Sequence, residues 1–373
     1  MQPALRHTWL QLHRWVALTL GGLLVLAGLL GALLTLARPL DQWRHPGLFR
    51  DPTGASSAPA ATLEDVRRHL DHSFGPGTAY TFRPPREAGE SLWVYVSGPW
   101  DGVVYFDSRG HELGRRGETE GAYNLLFELH SSLLLGETGK AVLATAAGTY
   151  LCLLATGLVL WWPRRWPPSF RVHWRAGAAR SLLELHNTAG ALLGLVIALS
   201  VASGAYMAWP PLRTLVSTAV GSAPLAPPQL HGAAGEGGSP LDALVRKATA
   251  LYPAARVGYV QVPAKAALPV RVRLKLPDDP HPNGLTSVWL DPRSGRVLRT
   301  ARWSELDAGN RLVSFVYPLH TGTLGGPAHQ VLVGATGLAL ATLGGSGLLL
   351  WWKRRRLRTA RGVRSPAGRQ PSR

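Results

Sequence analysis

Four long segments without charged side chains constrain this chain more than any other feature. They are residues 15–37, 141–162, 185–212 and 331–352 of the 373. Each is long enough to supply the ~20 apolar residues with which a helix crosses ~30 Å of hydrocarbon. The first is too long for the core of a signal peptide and is followed by a poor cleavage site, so we interpret it as a retained anchor. The sequence therefore predicts a membrane protein with four spanning helices.

The basic residues predict the orientation of these helices. Residues 1–14, 163–180 and 353–373 carry two, five and nine Lys or Arg residues and no Asp or Glu, which is 16 of the net charge of +18. In a four-span topology all three stretches lie on one side. An excess of basic residues in short loops marks the cytoplasmic side. We therefore expect a multi-pass membrane protein with both termini cytoplasmic, whose basic charge does not indicate a nucleic-acid partner.

The second half of the chain repeats the first. A histidine precedes a Trp-Trp pair by 31 positions twice, from His130 to Trp161 and from His320 to Trp351. A second offset, of 173 residues, superposes His13 on His186, each at the start of an apolar segment and each followed by small residues on the same helix face. Small residues on a membrane helix usually indicate helix packing. On a histidine-bearing face they also leave room for a flat ligand.

The repeats give the same plan to each half: a span, an exported α+β segment with a histidine near its end, and a second span. His130 and His320 are expected near the outer membrane surface, and His13 and His186 near the inner one. The predicted organisation is the following: 1–37 N-terminus and first span, 38–140 exported domain, 141–162 second span, 163–180 basic linker, 181–212 third span, 213–328 exported domain, 329–352 fourth span, 353–373 basic tail.

Several motifs carry a resemblance to a known family. Residues 129–136 and 319–326 both read Leu-His-x-x-x-Leu-x-Gly, and residues 161–165 and 351–355 both read Trp-Trp-x-Arg-Arg. With Asp-x-x-x-Gly-type turns in the α+β segments, the first one residue shorter than the second, nearly the whole chain resembles the PepSY-associated transmembrane family. The resemblance implies a mainly α membrane protein: a four-helix transmembrane bundle with pseudo-two-fold internal duplication and two PepSY-like periplasmic domains. It also implies a function, because members are similar to dihaem ferric-siderophore reductases.

Four histidines at duplicated positions, two near each membrane face, fit two non-covalent b-type haems. Haem iron is commonly held by axial imidazoles, and helix bundles build such sites from facing helices. The expected pairs are His13 with His186 and His130 with His320. His329 is an alternative outer ligand or a residue of a substrate pocket. Interfacial histidines without a ligand are the plainer interpretation. Zinc is disfavoured because no further Cys, His or carboxylate stands at ligand spacing, and the single cysteine, Cys152, excludes a disulfide within the chain.

The predicted function is therefore electron transfer across the membrane to a periplasmic acceptor, a ferric siderophore or another ferric chelate. The stretches on the cytoplasmic side are far too short for a nicotinamide or flavin module. Electrons would thus come from quinol or a separate reductase. The alternative is a non-enzymatic PepSY membrane protein that acts as an envelope sensor or a protease regulator.

Overall fold

A computed structural model describes residues 3–53, 60–75, 77–163, 167–222, 225–230, 238–265 and 267–363. The predicted basic residues Arg164 and Arg165, parts of the linkers at 52–61 and 221–240, and the end of the basic tail lie outside these ranges. The described chain divides into two units. Residues before 34, from 130 to 208 and from 332 onward form what we name the helical unit, and the described residues of 34–129 and 209–331 form the sheet unit.

Helices and strands alternate in blocks along the chain. The helices are α1 Pro3–Arg44, α2 Pro46–Phe49, α3 Leu63–Phe74, α4 Ala122–Ser132, α5 Gly136–Trp161, α6 Ala178–Ala208, α7 Pro210–Ala219, α8 Leu241–Leu251, α9 Ala308–Ser314, α10 Val316–His320 and α11 Gly326–Val363. The strands are β1 Ala79–Arg83, β2 Leu92–Ser97, β3 Gly102–Phe106, β4 Glu112–Gly117, β5 Arg256–Val262, β6 Val270–Lys275, β7 Thr286–Leu290 and β8 Val297–Ala301.

Among the described residues, four helices are long and apolar enough to cross a membrane: Pro3–Arg44, Gly136–Trp161, Ala178–Ala208 and Gly326–Arg356. They contain the predicted spans except at two ends, because residue 162 follows the end of α5 and the third span is shorter than predicted. The third helix ends at Ala208, whereas the prediction extends it to residue 212, and α7 begins two residues later at Pro210. Proline lacks a backbone N–H and its ring clashes with the preceding turn. The Pro210-Pro211 pair therefore ends the spanning helix and starts a new one.

Glycines allow the spanning helices to approach closely. A side-chain carbon added at Gly28 of α1 would lie 2.6 Å from the carbonyl oxygen of Gly337 of α11, and one at Gly337 would lie 2.5 Å from the carbonyl oxygen of Gly28. On the other side of the unit, the Tyr150 hydroxyl of α5 donates to the carbonyl oxygen of Gly194 of α6 over 3.1 Å. Small residues are the usual means of packing helices in lipid, where the surroundings are as apolar as the side chains.

The sheet unit is built on one antiparallel sheet of eight strands, ordered β4-β3-β2-β1-β5-β6-β7-β8. The residue pattern predicts strands at 93–97, 103–106, 270–276, 288–290 and 297–298 and helices at 63–72 and 241–251, and each overlaps an observed element. The central pairing, between β1 and β5, joins the two halves with Phe82 opposite Val260. The two predicted exported domains therefore share a single sheet and do not form two separate ones.

One face of this sheet is covered by α3 and α8. Alternate residues of every central strand enter the core there, among them the fully buried Phe82, Val94, Val260 and Val272, where they meet Leu70 and Leu244 of the two helices. Burial of each such side chain contributes about 1.5–3 kcal/mol. The alternation places Arg83, Trp93, Tyr259, Arg273 and Trp289 on the opposite face.

The helices α3 and α8 cap each other. The Asp242 carboxylate of α8 accepts the backbone N–H groups of Leu63 and Glu64 of α3, both over 3.1 Å. In return, the Glu64 carboxylate accepts the N–H of Leu241 over 3.1 Å. The first N–H groups of a helix have no partner within it. The exchange satisfies them and ties the two halves of the sheet unit together.

Candidate haem site in the helical unit

His13 of α1 and His186 of α6 lie side by side in the helical unit. Their ring centroids are 6.4 Å apart and their planes are nearly perpendicular, at 85°. Both side chains are half-buried. The prediction that pairs these two residues, made from an offset of 173 positions, therefore corresponds to an observed contact between their rings.

The ring of His13 is fixed by α5, the next spanning helix. Its Nδ1 atom lies 2.8 Å from the Oγ1 atom of Thr156, and the backbone of Leu153 forms a further hydrogen bond with it. The Thr156 hydroxyl has one hydrogen and lies 2.9 Å from the carbonyl oxygen of Cys152, to which it donates. A side-chain carbon added at Gly157 would lie 3.4 Å from Cε1 of His13. The imidazole therefore rests against a position without a side chain.

The ring of His186 is fixed by α11 in the same way. Its Nδ1 atom lies 3.1 Å from the carbonyl oxygen of Leu343 and 3.0 Å from the Oγ atom of Ser346. A side-chain carbon added at Gly347 would lie 3.5 Å from its Cε1. Leu343, Ser346 and Gly347 stand 190 positions after Leu153, Thr156 and Gly157. Each histidine is thus held by the same three positions of the span that follows it.

These hydrogen bonds decide which ring nitrogen carries the proton. A carbonyl oxygen only accepts, so the Nδ1 atom of His186 must donate its hydrogen to Leu343. The equivalent bonds assign the same tautomer to His13. In the neutral rings each Nε2 atom then keeps a free lone pair. Histidines that bind metals are usually oriented in this way, with the other ring nitrogen donating to a carbonyl or a similar acceptor.

The geometry of the pair fits a metal that brings most of its own ligands. Within the described chain, no group of three or more His, Cys, Asp or Glu side chains could hold a metal ion. With metal–imidazole bonds of about 2 Å and a ring centre about 1 Å beyond each nitrogen, two axial imidazoles place their ring centres about 6 Å apart. The ring centroids of His13 and His186, in a perpendicular arrangement, are 6.4 Å apart. Haem needs only two axial ligands from the protein, so these residues fit it and a four-ligand zinc site does not.

Space for a flat ligand is present on the helix face that bears His13. Gly21, eight residues later, is buried, yet a side-chain carbon added there would meet no atom within 4 Å. A cavity of about 480 Å³ between α1 and α5 is lined by His13 and by the small residues Gly148 and Cys152. This volume lies within the usual range for sites that bind small molecules and cofactors.

The corresponding face of α6, which bears His186, packs against neighbouring side chains and has less free space. A side-chain carbon added at Gly194 would lie 2.5 Å from Cδ1 of Leu154, and one at Gly190 would lie 3.8 Å from Cδ2 of Leu343. Of the two histidine-bearing faces, only that of α1 therefore has the predicted room for a ligand, at Gly21. Gly194 instead serves helix packing, which is the usual role of small residues in membrane helices.

The outer histidines are divided between the two units. His130, at the end of α4, belongs to the helical unit, and its Cε1 atom lies 3.0 Å from a side-chain carbon added at Gly31 of α1. His320, the last residue of α10, and His329, in the first turn of α11, belong to the sheet unit. All three are half-buried. The pairing of His130 with His320 or with His329 therefore stays a prediction.

The structure explains why His329 has no counterpart in the first half. The equivalent position is Gly139, and a side-chain carbon added there would lie 1.6 Å from the carbonyl oxygen of Ser132. Any side chain at 139 is therefore excluded by the backbone that connects α4 to α5. His130 and His320 remain the histidines that occupy equivalent positions.

Sequence reasoning missed Thr156 and Ser346, the residues that orient the inner pair. The signal was available, because a hydroxyl residue precedes Gly157 and Gly347 at the same offset of 190 that relates the Trp-Trp pairs. A serine or threonine within an apolar helix ordinarily donates to the carbonyl four residues earlier, as Thr145 and Thr149 do. Only the contact with a histidine distinguishes Thr156 from these.

Comparison with protein-family models gives one match. The model described as PepSY-associated TM region matches residues 10–354, which covers both units and all four spanning helices. Among the curated proteins, none matches this sequence.

Proposed function

Because the chain belongs to the PepSY-associated transmembrane family, we propose that it is a haem protein that passes electrons across the bacterial inner membrane to a periplasmic acceptor. We infer that the acceptor is a ferric siderophore, which makes the protein a ferric-siderophore reductase. The observation that carries the proposal is the His13–His186 pair, with both Nδ1 atoms engaged and the ring centroids 6.4 Å apart.

Haem supplies one-electron redox chemistry at its iron when it is bound. The chain's own contribution is to hold two imidazoles in one orientation. Thr156 and Leu343 accept the Nδ1–H groups, which leaves each Nε2 lone pair available to a ligand and makes the imidazoles more basic. Leu153 and Leu343, which pack in the apolar core of the helical unit, lie beside the two rings and lower the polarity around them. Lower polarity and hydrogen bonding around a haem are the main means by which a protein sets its potential.

In this proposal, His130 and His320 hold a second b-type haem near the outer face, with His329 as the alternative partner of His130. Both termini are cytoplasmic, as the basic stretches predict. Quinol or a separate reductase provides the electrons. Reduction of the ferric ion promotes its release, because hard oxygen chelators hold Fe(III) far more tightly than Fe(II). His13 and His186 contact residues that lie 190 positions apart, Thr156 and Ser346. This correspondence supports the internal duplication on which the second site rests.

The test is spectroscopic. The full chain, purified in detergent from haem-replete cells, should be red, with a Soret band and a sharp α-band after reduction by dithionite. Pyridine haemochrome analysis should give two haems per chain. Addition of a ferric siderophore to the reduced protein should restore the oxidised spectrum. A folded but colourless preparation would contradict the proposal and would leave the non-enzymatic sensor or regulator as the remaining interpretation.

A further inference from the structure

A cavity in the sheet unit has a strongly cationic lining. It encloses about 290 Å³ and lies where the loop after β1 meets the start of β5 and the end of β6. Three of its lining residues are cations, Arg86, Arg256 and Lys275, and none is Asp or Glu. Because like charges repel one another, three cations around one cavity indicate a site that is completed by an anion.

The two inner cations are directed by neutral partners. The Arg86 guanidinium donates to the side-chain oxygen of Asn283, and the Lys275 ammonium donates to the backbone carbonyl of Asp279. These two hydrogen bonds hold the cations in place without an ionised partner, while the carboxylates of Glu90 and Asp279 are near enough to attract them. The Asp279 carboxylate accepts backbone N–H groups instead, among them that of His281 over 3.0 Å.

Arg256, at the rim, is the most available of the three. Its side chain is exposed, and the guanidinium forms no hydrogen bond or ion pair with the part of the chain that the structure describes. A guanidinium presents parallel N–H groups that match the two oxygens of a carboxylate or a similar oxyanion. An anion in the cavity would thus be held between one exposed and two half-buried cations.

The walls of the cavity are rigid. Pro84, Pro85 and Pro282 line it, and proline fixes the backbone angle φ. A cavity whose walls lose little freedom on binding retains more of its contact energy. The volume is just below the usual range for drug-sized ligands, so it suits one oxyanion group or a small polycarboxylate and does not enclose a large chelate.

The pKa values of two groups at or next to the pocket are lowered. Burial, followed by the charges of Arg273, Arg86 and Lys275, lowers the pKa of His281 to about 3. Burial and the Arg83 guanidinium lower the pKa of Arg86. Burial is the larger cause of both shifts, and the neighbouring cations lower both pKa values further.

We propose that this cavity, which we name the Arg86–Arg256–Lys275 pocket, binds an oxyanion group of the periplasmic ferric chelate that the protein reduces. The inference deepens the proposed function and rests on it for the identity of that ligand: the chelate that it takes is anionic and places one oxyanion group, such as a carboxylate, in the pocket. Neutral or cationic ferric chelates should then be poor ligands.

The test is equilibrium binding to the full chain in detergent at low ionic strength, by titration calorimetry. The probes are citrate alone, ferric citrate, inorganic phosphate and a cationic ferric trihydroxamate. Citrate and ferric citrate should bind saturably and the cationic chelate should not. Tighter binding of phosphate than of citrate would assign the pocket to a phosphate group and overturn the carboxylate-bearing chelate as its ligand.

The variant Arg256→Gln should weaken citrate binding about tenfold or more, the usual loss for a charge-assisted hydrogen bond. The matched control is Arg246→Gln, which removes an equally exposed charge from α8 and should leave binding unchanged. Equal weakening by both variants, or no saturable binding, would overturn the proposal. Since the Arg256 side chain has no hydrogen-bond or ion-pair partner among the described residues, a folding defect is not expected, and an unchanged thermal midpoint verifies this.

The outcome is separable from that of the haem proposal. A colourless protein that binds citrate through Arg256 would retain the pocket and reject the redox function. A red protein with two haems that binds neither citrate nor ferric citrate would retain the redox function and reject the pocket.

Discussion

The Nδ1 atom of His13 lies 2.8 Å from the Oγ1 atom of Thr156, on the next spanning helix. The equivalent contact, between His186 and Ser346, is 3.0 Å long. Two hydroxyl residues at positions 190 apart therefore orient the two histidines of the candidate haem site. Because they set the protonated nitrogen and the ring orientation, they are positioning residues whose removal should leave both histidines in place.

The variant Thr156→Val should weaken haem binding about 10–100-fold, the usual loss when the partner of a metal-binding histidine is removed. It should also raise the reduction potential of the inner haem, because a less basic imidazole stabilises ferric iron less. Haem titration and a spectroelectrochemical titration measure the two effects. Thr342→Val is the matched control, since Thr342 is exposed and bonds only within its own helix. Equal potentials in both variants would contradict the role of Thr156.

The open space at Gly21 gives a steric prediction. Gly21→Leu should fill the buried space next to the His13 face and lower the haem content of the inner site at least severalfold, while the protein still inserts and folds. Gly22→Leu is the control, because Gly22 is exposed and also has no atom within 4 Å of an added side-chain carbon. The measurement is haem per chain. Similar haem contents in the two variants would show that the space at Gly21 is not part of the site.

The outer pair can be assigned by counting haems. His130→Ala should remove about half of the haem absorbance, and one of His320→Ala and His329→Ala should do the same. We expect His320, because Gly139 excludes a counterpart of His329 in the first half. The control is His72→Ala, an exposed histidine of α3. Retention of two haems per chain after His130→Ala would reject the outer site as proposed.

The sheet unit should lose stability in acid through His281. Its side chain is buried against Tyr317, with ring centroids 4.5 Å apart, and its Nδ1 atom accepts the N–H of Asn283 over 3.0 Å. Burial and three cations lower its pKa to about 3. Between pH 6.5 and 3 the unfolded chain therefore binds the extra proton, and the free energy of unfolding falls as the pH decreases. From pH 7 to 4.5 the loss is on the order of 1–3 kcal/mol.

Thermal unfolding of the wild-type protein and of His281→Gln across this pH range measures the effect. The variant should be less stable at pH 7, because it loses the ring contact with Tyr317, but its stability should vary less with pH. His72→Gln should keep the wild-type slope. Parallel pH profiles for the wild type and His281→Gln would assign the acid sensitivity to other groups.

The membrane spans could be predicted from the sequence, because each is recorded in a local pattern, whereas the role of His13 and His186 as ligands stays a prediction. Uncharged runs identify helices in lipid, where every backbone group must be bonded within the helix. The repeat spacing related His13 to His186 without any knowledge of contacts. The end of the third span was placed four residues too late, because the apolar composition continues through Pro210-Pro211 while the backbone hydrogen bonding cannot.

Only the tertiary structure determined which distant segments contact one another. The pairing of β1 with β5, which makes one sheet of the two predicted domains, leaves no trace in either strand's own pattern. The same holds for the reciprocal caps of Glu64 and Asp242, for the pocket of Arg86, Arg256 and Lys275, and for Thr156, which resembles any other threonine of a membrane helix until His13 is placed beside it. Periodicity specifies which face of an element is buried, but the partner that covers the face is selected by packing across the whole fold.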